Sequence, residues 1–110
     1  GDVDGDGRRE MVAAAFSSGL WLLRPGRDPH STWSITSIDR KSSGFEHAAL
    51  LADLDGDGRN ELYAASDNDG EVRRYDWNGG NWKRETILTR AVPGSVFTWN
   101  LAPVPVQLVR

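Results

Sequence analysis

The chain has 110 residues, of which 38% are hydrophobic and 26% are charged, and its formal net charge is −3. These values are typical of a folded domain and exclude a disordered chain, and no apolar run approaches the roughly 20 residues that cross a bilayer. The lack of cysteine excludes disulfides and thiolate metal sites, and no basic run is long enough to indicate nucleic-acid binding.

In chain order, the pattern predicts short strands separated by turns rich in glycine, asparagine and aspartate. No segment carries a sustained apolar stripe with helical spacing. The alanine run 13–15 is assigned to a strand because its counterpart, 64–65, lies between turn signals. The predicted strands cover residues 10–16, 20–23, 33–38, 47–54, 61–66, 71–77, 82–88 and 95–101, and the turns in the second half cover 67–70 and 78–80.

The strands belong to an internal repeat. The motif at 2–8 recurs at 53–59, and Gly94 to Ala102 forms a weaker third copy of Gly44 to Ala52. A period near 50 residues indicates a repeat architecture such as a propeller. The chain is therefore divided into a first repeat that lacks its first strand (1–40), a second repeat (41–90) and a partial third repeat or closing strand (91–110).

The strand count predicts an all-β fold with two four-stranded antiparallel blades, provided that the tail fills the empty position in the first repeat. Two blades cannot close a ring, because closed propellers typically have about 4–8. The chain would therefore either associate with copies of itself into a homo-oligomeric ring or form part of a longer propeller.

Half of the 16 acidic residues stand in two clusters of the form D-x-D-x-D-G-x-x-E. Closely spaced carboxylates repel each other unless a cation offsets their charge. Hard oxygen ligands suit Ca²⁺ better than Mg²⁺, which retains more water. The pattern predicts two calcium sites, with the ligands Asp2, Asp4, Asp6, the Arg8 carbonyl and Glu10 in the first, and Asp53, Asp55, Asp57, the Arg59 carbonyl and Glu61 in the second.

The spacing argues against an EF-hand, which needs a bidentate glutamate at position 12 of the loop. That position is Ala13 in the first cluster and Ala64 in the second, and the flanking segments resemble strands and not helices. The alternative to a metal site is an acidic surface turn without an ion. Two such turns at matched repeat positions are an improbable coincidence.

The two motifs resemble the FG-GAP, or VCBS-type, repeats of integrin α-chain propellers and of many bacterial extracellular proteins. The Phe-Gly and Gly-Ala-Pro elements that name the family are not legible in this chain. The resemblance implies a calcium-stabilised β-propeller in which each calcium loop joins the first two strands of a blade. It also implies an extracellular or periplasmic location.

The resemblance leaves the activity open, because related repeats occur in adhesion proteins, lectins and polysaccharide lyases. The leading hypothesis is a binding or adhesion scaffold for a glycan or protein ligand, and Trp21, Trp77 or Trp99 could stack on a sugar ring if exposed. The alternative is part of a polysaccharide lyase or dehydratase, with Glu46 and His47 in proton transfer. For His47 the preferred interpretation is a strand residue that bonds a neighbouring turn.

Overall fold

The computed structural model describes residues 1–28, 30–90 and 98–104. In these residues the chain is all-β, with a three-stranded sheet in the order β1-β2-β3 and a four-stranded sheet in the order β4-β5-β6-β7, both antiparallel. The strands are β1 (Met11–Ala14), β2 (Leu20–Arg24), β3 (Ser34–Asp39), β4 (Glu46–Ala52), β5 (Glu61–Ser66), β6 (Glu71–Asn78) and β7 (Asn81–Thr89).

These strands confirm the predicted all-β class and follow seven of the predicted segments closely. One short 3₁₀ turn, Phe16–Ser18, lies between β1 and β2. Across the described ranges no helix combines the length and the apolar character that a membrane crossing requires.

Turn chemistry explains where the outer hairpin of the second sheet reverses. Strand β6 ends at Asn78 and β7 begins at Asn81, so Gly79 and Gly80 form the connection. Their φ angles are 60° and 110°, in the left-handed region that glycine adopts without steric cost. Two-residue hairpin loops need positive φ, which is why the glycine pair predicts this turn correctly.

The hydrophobic core lies between the two sheets. Leu20 belongs to β2 in the first sheet, whereas Leu62, Ala64 and Tyr75 belong to β5 and β6 in the second, and all four form one buried cluster. Burying each leucine side chain contributes roughly 1.5–3 kcal/mol relative to leaving it exposed. The partly buried residues that pack against this cluster are Val12, Ala14, Ile38, Ala49, Leu51 and Trp82.

A polar contact also joins the sheets. Asp39, at the end of β3, accepts hydrogen bonds through Oδ2 from the Tyr75 hydroxyl at 2.8 Å and from Arg84 Nη1 at 3.0 Å. Burial by itself raises the pKa of Asp39, but these hydrogen bonds outweigh it and hold the pKa below its ordinary value. Burial and Asp39 together raise the pKa of Tyr75, which keeps its hydroxyl protonated as a donor.

The tail does not follow the predicted course. Residues 98–104 form no strand, so the strand predicted at 95–101 is wrong over 98–101, while 95–97 lie outside the described residues. The Thr98 N–H and hydroxyl bond the Asp67 carboxylate at 2.7 and 2.9 Å. Asp67 is only 1% exposed, and a buried carboxylate needs such donors. The described tail therefore lies against the second sheet and does not complete the first.

The repeat is visible in the pairing. β1 pairs antiparallel with β2 as β5 does with β6, but the registers differ by one residue, because Met11 pairs with Leu23 whereas the equivalent Leu62 pairs with Tyr75 and not with Arg74. The second sheet has the additional strand β4 beside β5, whereas β1 is an edge strand in the described part of the first sheet. Since two sheets do not form a closed ring, the propeller stays a prediction.

Candidate metal centre

The second acidic loop connects β4 to β5 and winds around the carboxylate of Asp53. Asp53 Oδ1 accepts hydrogen bonds from the N–H groups of Gly56 at 2.8 Å and Asp57 at 3.1 Å, and Oδ2 accepts one from Gly58 at 2.9 Å. Gly56 and Gly58 have φ angles of 78° and 91°, which favour glycine. The Asp-Gly-Asp-Gly run therefore turns tightly enough to bring successive carboxylates together.

Four carboxylates meet inside this loop. Asp53, Asp55, Asp57 and Glu61 each offer one oxygen, and these oxygens all lie within 4.8 Å of one another. The three aspartates are exposed, whereas Glu61 is fully buried at the first position of β5. The predicted carboxylate ligands of the second site are thus brought together, three from the loop and one from the strand that follows.

One carboxylate oxygen of Glu61 lacks a hydrogen-bond partner among the described residues. Its Oε2 accepts hydrogen bonds from the Leu54 N–H at 3.1 Å and the Tyr63 hydroxyl at 3.0 Å. Its Oε1 is buried and has no hydrogen-bond partner in the part of the chain that the structure describes. Leaving a buried carboxylate oxygen unpartnered costs free energy. A cation among the four carboxylates would remove that cost.

Two arginines offset part of the charge of this group. Arg59 Nη2 donates to Asp57 Oδ2 at 3.1 Å, and Arg74 Nη2 donates to Asp55 Oδ2 at 2.9 Å. The backbone N–H and the guanidinium of Arg59 lower the pKa of Asp57. Two guanidinium groups do not balance four carboxylates, so an attraction for a further positive charge remains.

The arginine at position 7 of each loop ties the loop to the hairpin two strands further along. Arg59 Nη1 donates to the carbonyl of Trp77 at 2.7 Å, and Arg8 Nη2 donates to the carbonyls of Gly26 at 2.6 Å and Pro25 at 3.2 Å. The sequence predicts that the backbone carbonyls of both arginines are metal ligands, and this stays a prediction. Their side chains act as anchors in both repeats.

The first acidic loop brings together fewer carboxylates. Oxygens of Asp2, Asp4 and Glu10 lie within 4.8 Å of one another, and Asp6 is not a member of this group. Glu10 is 4% exposed and accepts a hydrogen bond from the Val3 N–H at 3.0 Å. Burial raises the pKa of Glu10, and the Val3 N–H offsets only part of that effect.

The two loops contact each other through Asp2 and Asn60. The Asn60 N–H donates to the Asp2 carbonyl at 2.7 Å, and the Asp2 N–H donates to Asn60 Oδ1 at 2.8 Å. Asp4 in the first loop also pairs with Arg24 on β2 at 2.9 Å. The two acidic groups are therefore neighbours that share one hydrogen-bonded border.

A family model for FG-GAP-like repeats matches residues 2–64, which is more than half of the chain and includes both acidic loops. The chain belongs to the FG-GAP-like repeat family. This confirms the resemblance inferred from the motifs. No curated protein and no solved structure matches the chain.

In this FG-GAP-like chain the two proposed catalytic residues have separate partners. Glu46 is fully buried, and its carboxylate accepts hydrogen bonds from the Ser42 hydroxyl and the Ser43 N–H, both at 2.7 Å. His47 instead lies between the rings of Phe16 and Trp99, at centroid distances of 5.6 and 4.7 Å. These contacts hold the start of β4, and a role in proton transfer stays a prediction.

The three tryptophans that could stack on a sugar ring lie in different surroundings. Trp99 is 75% exposed beside His47. Trp77 packs edge-to-face on Trp82 at 5.3 Å between ring centroids, and Trp21 donates from its indole nitrogen to the Ser18 carbonyl. Of the three, Trp99 presents most of its ring to solvent.

Sequence reasoning missed the contacts that cross the repeats. Asn60 was not recognised as a bridge, and Arg24 was not recognised as a partner of Asp4. The sequence could have indicated only the two anchoring arginines, because Arg8 and Arg59 occupy the same position of the repeated motif. Asn60 has no such signal, since its equivalent in the first motif is Arg9.

Proposed function

We propose that this chain is a calcium-stabilised repeat unit of a β-propeller binding scaffold. The observation that carries the proposal is the buried, unpartnered Oε1 of Glu61 beside three loop carboxylates. Acidic residues on a surface are common without an ion. A buried carboxylate oxygen with no donor is not, and it supports a bound cation at this position.

The dimensions of the second site fit calcium. Ca²⁺ binds oxygen ligands at about 2.3–2.6 Å, so two ligands on opposite sides of one ion lie at most about 5 Å apart. The oxygens of Asp53, Asp55, Asp57 and Glu61 all fall within 4.8 Å of one another. The four side-chain ligands are carboxylates, the hard donors that Ca²⁺ prefers, and a protein cage of several carboxylates is less suited to Mg²⁺.

The proposed role of the ion is structural. It would neutralise the acidic hairpin between β4 and β5 and hold Glu61 at the base of β5, which supplies Leu62 and Ala64 to the core. An ion that binds the folded state alone stabilises it as the free ion concentration rises. Calcium sites of extracellular modules work at about 10⁻⁴–10⁻³ M, which supports an extracytoplasmic setting.

The repeat division into 1–40, 41–90 and 91–110 belongs to the same proposal. The sheets would act as neighbouring blades, because their core lies between two faces, and further blades would come from other copies or from a longer chain. Connecting loops at one end of the strands would carry the ligand surface, since loops on a rigid scaffold commonly do so.

Thermal unfolding with calcium and with a chelator tests this proposal. At a free calcium concentration one hundred times the dissociation constant, one site adds about 2.7 kcal/mol to the free energy of unfolding. We expect the melting temperature to rise with calcium, and Mg²⁺ at equal concentration to raise it less. Equal melting temperatures in calcium and in EDTA would contradict the proposal.

A further inference from the structure

A cavity of about 310 Å³ lies between the two sheets near their outer strands. Small-molecule sites typically start at about 300 Å³, so this space is suited to a ligand about the size of one sugar ring. The residues that line the cavity belong to neither acidic loop. Its walls are Ile38, Asp39, Lys41, Tyr75, Trp82 and Arg84.

The cavity combines an aromatic wall with unused donors. Arg84 uses Nη1 for Asp39 and for the Lys41 carbonyl, at 3.0 and 3.2 Å. Its Nε and Nη2, like the Lys41 ammonium, make no hydrogen bond to the residues that the structure describes. Guanidinium and ammonium groups are the donors that bind carboxylates most strongly. Trp82 supplies a large apolar ring at the same cavity.

The local charge favours an anion. Among the described residues that line the cavity, Asp39 is the one carboxylate, and Arg84 pairs with it at 3.0 Å. Lys41 adds a second positively charged residue, so the described lining has two basic residues and one carboxylate. Asp39 Oδ2 accepts two hydrogen bonds, whereas Oδ1 accepts one, from the Lys41 N–H at 2.8 Å. A carboxylate oxygen has two acceptor positions, so Oδ1 keeps one for a ligand hydroxyl.

We propose that this cavity binds an acidic saccharide, a six-membered sugar ring that carries a carboxylate. The carbon face of the ring packs on Trp82, the sugar carboxylate pairs with Lys41 and Arg84, and a ring hydroxyl donates to Asp39 Oδ1. A hydroxyl-rich ring with one negative charge would use the aromatic ring, the positively charged groups and the carboxylate acceptor of the cavity. This inference rests on the proposed role as a binding scaffold, but it does not require that calcium is the bound ion.

Isothermal titration of the full chain in excess calcium tests the proposal, with trigalacturonate as the probe and neutral galactotriose as its uncharged counterpart. Lys41→Gln and Arg84→Gln each remove one charge from the cavity. Lys83→Gln is the matched control, because it removes the same charge from an exposed position of β7 that does not line the cavity.

We expect trigalacturonate to bind at least about tenfold more tightly than galactotriose, because a charge-assisted hydrogen bond contributes about 1.5–3 kcal/mol. Lys41→Gln and Arg84→Gln should each weaken trigalacturonate binding about tenfold, and Lys83→Gln should leave it unchanged. Equal binding of both sugars, no binding, or an equal loss in Lys83→Gln would overturn the inference. Failure of the calcium proposal appears separately, as a melting temperature that calcium does not change.

Discussion

The two acidic loops share one motif but differ in how completely they assemble. In the second loop, all three aspartates and the glutamate contribute oxygens to a single group, whereas in the first loop Asp6 is left out. The arginine at position 7 differs in the same way. The Arg59 guanidinium bonds Asp57 of its own loop as well as the Trp77 carbonyl, whereas the Arg8 guanidinium bonds the carbonyls of Pro25 and Gly26 and the Arg8 backbone N–H bonds Asp6.

The difference shows that the surroundings of a metal-binding motif decide how well its ligands converge. The second loop is closed on both sides by paired strands, because β4 and β5 pair from Ala52 and Glu61 upward. The first loop is closed by one backbone pair, in which the Glu10 N–H donates to the Gly1 carbonyl at 2.6 Å and Gly1 N donates to the Glu10 carbonyl at 3.0 Å, and it is also bonded to Asn60 of the second loop. A ladder of several consecutive pairs, such as the one from Ala52–Glu61 to Ala49–Ala64, sets the positions of ligands more firmly than one pair does. We therefore expect the second site to bind calcium more tightly.

The largest expected effect is that of removing the buried charge from each loop in turn. Glu61→Gln should weaken the tighter calcium site at least about a hundredfold, since loss of an outer-sphere partner alone costs about 10- to 100-fold. Glu10→Gln should weaken only the looser site. Calcium titrations of both variants by calorimetry measure the two affinities. Equal effects on one affinity would remove the distinction between the loops.

A stability measurement separates loss of ligation from loss of folding in Glu61→Gln. Without calcium, this substitution removes one of four mutually repelling carboxylates. We expect its melting temperature in EDTA to equal or exceed that of the unmodified chain, and its gain on adding calcium to be smaller. A lower melting temperature in both conditions would indicate a packing defect at the base of β5.

A smaller contrast is expected at position 5 of the motif. Asp57→Asn removes a charge from the assembled group, whereas Asp6→Asn changes a residue outside it. We expect the first substitution to weaken calcium binding about tenfold, equivalent to about 1.4 kcal/mol, and the second to change it little. An equal loss in both variants would show that Asp6 joins the site when the ion is bound.

The smallest effect should come from the border between the loops. Asn60→Ala removes the hydrogen bond that Asp2 N–H donates at 2.8 Å, but keeps the backbone bond to the Asp2 carbonyl. A hydrogen bond of this kind contributes about 0.5–1.5 kcal/mol. We expect weaker calcium binding at the first site and an unchanged second site. Binding isotherms compared with those of Glu10→Gln test this, and weakening at the second site would contradict it.

Much of the strand layout was predictable because its signals are local. The glycine pair at 79–80 marks the turn between β6 and β7, and Glu61–Ser66 was predicted with the bounds that the structure shows. The carboxylates of the second loop were predictable for the same reason, since glycines at fixed spacing force the loop to fold around Asp53. Each of these features depends on residues fewer than about ten positions apart.

The features that could not be predicted join residues that are distant along the chain. The tail bonds Asp67 because that buried carboxylate needs donors, and nothing near Thr98 in the sequence reveals the need. The cavity arises because β3, β6 and β7 meet at one place. The spacing of residues is enough to predict the strands and the acidic loops, because backbone sterics and repulsion between adjacent charges act over a few residues. Which groups face each other across the sheets depends on how two apolar faces pack, and only the folded chain determines that.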